Sequence, residues 1–177
     1  MPRNHDRAGE PQMMGIEYLN GLYSYAVVLT RNHAEAEDLV QETYTRAIQA
    51  MQKLRANSNI KGWLFTMLRN IWFNQLRKRR NGPPMVDIAA NNIVEPSKIF
   101  PDLYVSKLEI QQVRVAIQQL PAECREVILL REYEELSYRE IASVLHCPIG
   151  TVMSRLGRGR AKLGALLATP RPLKQSR

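Results

Sequence analysis

The chain has 177 residues, of which 45% are hydrophobic and 24% are charged, a composition typical of a soluble globular protein. No apolar run approaches the ~20 residues of a membrane-spanning helix, and the N-terminal segment lacks the apolar stretch of a signal peptide. Membrane insertion is therefore not expected. The two cysteines, Cys124 and Cys147, are too few for a disulfide framework or a four-ligand zinc site, which favours a reducing, cytoplasmic location.

The net charge of +8 comes from two acid-free segments. Residues 60–80 carry six basic side chains and residues 141–177 carry seven, while the rest of the chain is net negative. Two separate positive segments predict contact with a polyanion at two places. The alternative is chance clustering together with a basic tail.

The first half of the chain is predicted to be helical. Apolar residues recur at three- and four-residue steps over 16–29, as on one face of a helix. Asn32 is predicted to cap a second helix, whose buried stripe lies within 36–51. A polar loop at 55–59 separates it from a third helix, which is predicted over 60–80.

Residues 81–105 are predicted to be a linker, because they contain four of the ten prolines and one of the nine glycines of the chain: Gly82, Pro83, Pro84, Pro96 and Pro101. Fully extended, such a segment reaches ~80 Å. It can therefore hold two helical halves far apart.

The second half is again predicted to be helical. Pro121 is suited to the first turn of a helix that buries Val127 and Leu130. Ser137 and Glu140 form the pattern of a capping box at the start of a short helix that ends near 145. A tight turn at 146–148 then leads into a last helix over 149–167.

A short helix, a three-residue turn and a basic helix predict a helix-turn-helix. Four apolar side chains are expected to join its two helices: Ile141, Leu145, Cys147 and Val152. The last helix is expected to present five polar or basic side chains: Thr151, Ser154, Arg155, Arg158 and Arg160. Such a helix fits the major groove, where arginine can bond guanine bidentately. A helical hairpin that binds no DNA is the alternative, which the acid-free charge disfavours.

The helix over 60–80 combines aromatic, amide and basic groups, which suit unstacked bases and phosphates of single-stranded or opened nucleic acid. They are Trp63, Phe65, Asn70, Trp72, Phe73 and Arg77–Arg80. The alternative is that the tryptophans belong to the core, which is favoured for Trp63, and that the basic run is a solvated helix end. Neither a catalytic arrangement nor a phosphate-binding glycine loop is present, so no enzyme activity, cofactor or metal is expected.

Three stretches of this sequence together resemble one known family. They are AEDLVQET at 36–43, GWLFTMLRN at 62–70, and LSYREIA at 136–142 followed by CPIGTVMSR at 147–155. In this order and spacing they resemble the extracytoplasmic-function (ECF) sigma factors of the bacterial sigma-70 family. The resemblance implies an all-α fold of two small helical domains: region two at 14–80, a flexible linker at 81–105, and the region four helix-turn-helix at 106–167.

The resemblance also implies partners and residue roles. Region two is expected to bind the clamp helices of core RNA polymerase through Asp38, Gln41 and Glu42. The same domain is expected to open the −10 promoter element and capture a flipped base, with eight candidate contacts: Arg55, Asn57, Ser58, Asn59, Asn70, Arg77, Arg79 and Arg80.

Region four is expected to read the −35 element through the five side chains of the last helix and to dock on the polymerase flap. Met153 and Gly157 depart from the family pattern, so the resemblance does not predict which −35 sequence this chain reads. By family analogy, an anti-sigma factor is an expected partner.

Two other functions fit part of the pattern. A helix-turn-helix regulator of duplex DNA would not need the polymerase-binding match at 38–42. A sigma mimic that sequesters an anti-sigma factor would be expected to lose the basic residues at 77–80 and 155–160, which this chain keeps.

Overall fold

A computed structural model describes residues 15–51, 54, 58–81 and 107–168. Within these ranges the chain forms seven α-helices and no strand. In chain order the helices are α1 (Leu19–Thr30), α2 (His33–Met51), α3 (Ile60–Asn81), α4 (Lys107–Gln118), α5 (Ala122–Ile128), α6 (Tyr138–Leu145) and α7 (Ile149–Ala168). A 3₁₀ turn at Ile16–Tyr18 precedes α1, and a π-helical segment at Leu129–Tyr133 continues α5. The all-α class is confirmed, whereas the proposed linker, residues 81–105, lies almost entirely outside the described residues.

Helices α1, α2 and α3 pack around one apolar centre. Leu22 and Tyr25 of α1, Leu39 of α2, and Phe65 and Leu68 of α3 are all fully or almost fully buried there. The Asn32 side chain accepts a hydrogen bond from the Glu35 N–H at 3.2 Å, which confirms the predicted cap of α2. Because their inner faces are packed together, the outer faces of α2 and α3 have fixed positions relative to each other.

Helices α5, α6 and α7 form the helix-turn-helix and its support. Ser137 and Glu140 make the predicted capping box, and α6 ends at Leu145 as expected. His146 then adopts a left-handed conformation with φ 51°, which turns the chain into α7. Ile141 and Val152 are fully buried between the two helices, as the sequence predicted.

Gly159 lets α7 approach α5 closely. A Cβ atom at this position would lie 3.1 Å from the Ile128 side chain and 3.4 Å from Cβ of Cys124. This glycine therefore serves helix packing, whereas a Cβ at Gly157 would meet nothing within 4 Å.

Some local predictions needed correction. Pro121 precedes α5 as its N-cap residue instead of occupying the first turn, and α5 passes into a π-helical segment that no sequence signal indicated. Helix α4 buries Arg114 and Ala116, and Leu120 is buried just after its end. Trp72 is buried and Trp63 is half-buried, so both tryptophans pack with the core.

The two halves pack directly against each other. Helix α1 contacts α5 and the π-helical segment, and α3 contacts α6. Buried residues of both halves form one continuous apolar cluster. The sequence predicted two halves that a linker can separate, but it gave no sign that they share an interface.

Candidate nucleic-acid interface

Asn70 is exposed on α3, two positions before the buried Trp72. Its side-chain oxygen is 3.0 Å from Nε2 of His146, in the turn of the helix-turn-helix. The amide that is predicted to meet a flipped base is therefore already in contact with the other half of the molecule.

The loop before α3 is only partly described. Arg55 and Asn57 lie outside the described residues, and Ser58 is half-buried. The Asn59 side chain accepts a hydrogen bond from the Gly62 N–H at 2.9 Å and thereby caps α3. Its amide also donates to the Glu140 carboxylate of α6. Asn59 thus has a structural role that the sequence did not reveal.

The basic end of α3 is exposed, but its side chains differ in their contacts. Arg77 and Arg80 lie in solvent. Arg79 pairs with Glu35 of α2 at 3.0 Å, and its guanidinium lies 5.6 Å from the ring centre of Trp72. Surface pairs of this kind contribute little to stability, so a phosphate can replace the Glu35 partner at low cost.

One aromatic side chain of α3 stays accessible. Phe73 is 40% exposed, and the Arg69 guanidinium lies 4.5 Å from its ring centre. The predicted aromatic surface of α3 is therefore reduced to Phe73 and the half-buried Trp63, because Phe65 and Trp72 are buried.

Helix α7 presents its polar side chains on the side that faces away from α5 and α6. Ser154 and Arg158 are exposed, whereas Thr151 and Arg155 are half-buried. The Ser154 hydroxyl donates to the Thr151 carbonyl at 3.0 Å, and Met153, 55% exposed, lies beside them. A helix of 20 residues is ~30 Å long, which suits the major groove.

Arg160 differs from the other four candidates on α7. It forms an ion pair with Glu132 of the π-helical segment. Helix α7 itself carries no acidic residue.

The outer face of α2 carries the side chains that are predicted to bind polymerase. Asp38 and Gln41 are exposed, while Glu42 pairs with Arg46 and accepts a hydrogen bond from Gln75 at 2.7 Å. Ile48, 60% exposed, continues the same face in steps of three and four residues. Ile48 was missed from the sequence, although this spacing could have identified it.

Two buried carboxylates lie between the halves of the molecule, and sequence reasoning missed both. The Tyr25 hydroxyl donates to Glu126 Oε1 at 2.5 Å, and Nε of Arg69 donates to the same oxygen at 3.0 Å. Nζ of Lys61 lies 3.0 Å from Glu134 Oε2. Burial and the neighbouring Glu126 carboxylate raise the pKa of Tyr25 well above its usual value of 10. No local periodicity pairs residues so distant in sequence.

Among the described residues, no helix is long and apolar enough to cross a membrane. The same residues hold no group of three or more His, Cys, Asp or Glu side chains that could bind a metal ion.

Comparison with known proteins agrees with this architecture. Residues 16–82 match the family described as sigma-70 region 2, and residues 110–163 match sigma-70 region 4. The chain is 37% identical to the ECF RNA polymerase sigma factor EcfG of Rhodopseudomonas palustris, over 82% of this chain and 78% of that protein. The chain therefore belongs to the ECF sigma factors of the sigma-70 family.

Two solved structures are similar over most of their length. The sigma factor RpoE of Bartonella quintana, in complex with the anti-sigma factor NepR, is 34% identical with a TM-score of 0.67 and covers 90% of this chain and 98% of its own. CnrH, in complex with the cytosolic domain of CnrY, is 25% identical with a TM-score of 0.60 over 89% and 86% of the two chains.

Proposed function

We propose that this protein is a promoter-specificity subunit of bacterial RNA polymerase, with no enzyme activity or cofactor of its own, and that it acts in the cytoplasm. The observation that carries the proposal is the presence of both sigma-70 regions in one chain whose α2, α3 and α7 each present a distinct polar surface. A regulator that only binds duplex DNA would need the α7 surface alone.

The proposed polymerase contact is the outer face of α2. Asp38, Gln41 and Glu42 supply carboxylate and amide groups, and Ile48 adds an apolar contact at the end of the same face. An exposed isoleucine beside charged side chains is a typical element of a protein interface, since burial of its side chain favours binding. The partner surface is the clamp helices of core polymerase, and region four docks on the flap.

The proposed −10 contact is α3 with the loop before it. Asn70 and Asn59 offer amide groups to a flipped base, and Phe73 offers a ring for stacking. Extrusion of a base costs a few kcal/mol, which stacking and hydrogen bonds of ~1–3 kcal/mol per base offset. Arg77, Arg79 and Arg80 lie at the end of the helix, where they attract the phosphates; Arg55, Asn57 and Ser58 remain proposed contacts in the preceding loop.

The proposed −35 contact is α7 in the major groove. Arg155 and Arg158 are the candidates for base contacts, and Thr151 and Ser154 are suited to phosphates or bases. Arg160 is proposed as a phosphate contact. Its guanidinium already pairs with the Glu132 carboxylate, and a phosphate is an anion that can take the place of this partner.

Control by an anti-sigma factor is part of the proposal. The RpoE and CnrH structures contain the anti-sigma factor NepR and the cytosolic domain of CnrY, respectively, and both resemble this chain over most of its length. An anti-sigma partner is proposed for this chain too.

The test is reconstituted transcription. The purified full-length chain is added to bacterial core polymerase with a library of random promoter fragments, and transcript starts are sequenced. The proposal predicts discrete starts that share two spaced motifs and disappear without the protein. Binding to core without starts would indicate a missing cognate polymerase or a degenerate DNA-reading helix. A failure to bind core would contradict the proposal and favour a helix-turn-helix regulator.

A further inference from the structure

The polar surface of α7 contains one large apolar side chain that takes no part in the core. Met153 is 55% exposed, and it lies among the candidate DNA contacts. The other large apolar side chains exposed on α7 are at its ends, Ile149 at the first position and Leu167 near the last. Single exposed apolar residues are common on protein surfaces, so only the position of Met153 gives it meaning.

Met153 lies in the part of α7 that is suited to read bases. It is the fifth residue of the helix, ~6 Å from the helix start. In helix-turn-helix proteins, the N-terminal residues of the second helix contact the edges of the bases in the major groove. The next residue, Ser154, is exposed and is a proposed −35 contact. A duplex that reaches Ser154 therefore also comes within reach of the long Met153 side chain.

Two glycines flank Met153 on the same side of the helix. Gly150 and Gly157 lie three positions before it and four positions after it, a spacing at which residues share a helix face. A Cβ atom at either glycine would meet nothing within 4 Å, so packing within the protein does not require them, unlike Gly159. Neither position carries a side chain that would cover Met153, and the bare backbone can approach a base pair closely.

The methionine side chain suits one feature of the major groove. It has no N–H or O–H group, its sulfur is only a weak acceptor, and it carries no charge for a phosphate. Among the four bases, thymine alone presents an apolar group in this groove, the C5 methyl group, and apolar side chains contact it. The chemistry of Met153 therefore matches thymine.

A methionine can also belong to a protein-binding surface, since its flexible side chain adapts to varied partners. The surrounding charge favours DNA instead. Helix α7 carries four basic residues and no acidic one: Arg155, Arg158, Arg160 and Lys162. A polyanion is the partner that such a helix attracts.

We propose that Met153 determines part of the promoter specificity of this protein by packing against the C5 methyl group of a thymine in the −35 element. The proposal rests on the proposed function of α7 and names the base that one of its residues reads. Because the contact is apolar, it adds to specificity without adding to the salt dependence of binding.

The experiment replaces thymine by deoxyuridine, which lacks only the C5 methyl group. Random duplexes are first enriched by the full-length chain, both alone and bound to core polymerase, so that the DNA site is defined without transcription. Each thymine of the enriched duplex, on either strand, is then replaced in turn. Fluorescence anisotropy measures the dissociation constant of each duplex for the wild type and the variants.

One replacement is expected to raise the dissociation constant of the wild type about fourfold, the effect of exposing one methyl-sized group. Met153→Ala should bind the thymine duplex more weakly than the wild type and should bind the thymine and deoxyuridine duplexes equally at this position. Met153→Leu keeps an apolar side chain of similar volume and should still prefer thymine.

Leu167→Ala is the matched control, because Leu167 is also exposed on α7 but lies ~21 Å further along the helix. It should distinguish thymine from deoxyuridine as the wild type does. The slope of log Kd against log salt concentration should be the same for the wild type and Met153→Ala, since neither carries a charge at this position. Circular dichroism checks that every variant keeps its helices.

A wild-type chain that enriches no duplex, or that binds every deoxyuridine duplex as tightly as thymine, would overturn the proposal. So would a Met153→Ala variant that keeps the preference for thymine, or one whose only loss is in binding to core polymerase, which would assign Met153 to a protein contact. A failure of the wild type in reconstituted transcription would refute the proposed function but would leave the deoxyuridine result unchanged.

Discussion

Helices α3 and α7 are the two long basic helices of the molecule, yet they present their polar groups differently. The amide groups of Asn59 and Asn70, on or beside α3, are engaged by region four, whereas Ser154 and Arg158 of α7 face solvent. The proposed duplex-reading surface of α7 is therefore already accessible, whereas the amide groups of the proposed −10 surface are in contact with region four.

The largest expected effect is a loss of stability in the region four half, where one substitution should unfold the helix-turn-helix more easily. Ile141 is fully buried between α6 and α7, so Ile141→Ala should destabilise the helix-turn-helix by ~2–5 kcal/mol through lost packing and a cavity. Chemical denaturation followed by circular dichroism measures this change. Ile149→Ala, at an apolar position that is 42% exposed, is the control and should change stability by less than ~0.5 kcal/mol. Similar losses for both variants would contradict the packing described for α6 and α7.

The next effect sharpens the assignment of α7. Arg155→Ala and Arg158→Ala should each weaken binding to the correct −35 duplex by ~1–3 kcal/mol, because both arginines are proposed to contact bases. Fluorescence anisotropy with matched and scrambled duplexes measures it, with Lys162→Ala on the same helix as the control. An equal loss on every duplex would show that these arginines contact phosphates only.

The smallest effect concerns the capping box that begins α6. Ser137→Ala should cost ~0.5–2 kcal/mol, since the Glu140 N–H loses its acceptor. Thermal unfolding measures this loss, and Ser143→Ala, at an exposed position within α6, is a control for the loss of a hydroxyl.

The same cap makes a prediction about pH. Hydrogen bonds from the Ser137 side chain and backbone lower the pKa of Glu140 from its usual 4.5. The stabilisation is therefore fully present above pH 4.5 and is lost as pH falls through the lower folded-state pKa. The melting temperatures of the wild type and Glu140→Gln should differ most at neutral pH and converge in acid. A difference that grows as pH falls would contradict this sign.

Local sequence signals predicted most of the fold, because helix caps and apolar spacing act within a few residues. Asn32, Ser137 and Glu140 were identified as caps, and the buried positions Ile141 and Val152 followed from spacing. The candidate surfaces on α2, α3 and α7 also came from the sequence, through the family resemblance, and their DNA and polymerase contacts remain predictions.

The interface between the halves could not be predicted in this way. Glu126 lies 101 positions from Tyr25 in the sequence, and Glu134 lies 73 positions from Lys61. A single sequence shows a carboxylate but not the distant cation that pairs with it. For the same reason, Asn59 and Asn70 were identified as nucleic-acid contacts without any sign of their contacts to α6 and the turn after it.

The division of labour between α3 and α7 is the central claim, and promoter opening tests it most directly. Permanganate reactivity of thymines in the −10 element is measured for complexes of core polymerase with wild type, Asn70→Ala or Arg158→Ala, on a duplex promoter and on the same promoter with a pre-opened −10 segment. Asn70→Ala should bind core normally but open the duplex poorly. Arg158→Ala should lose occupancy on the duplex and recover on the pre-opened template. If both variants lose opening to the same extent on both templates, the two helices do not have separate roles.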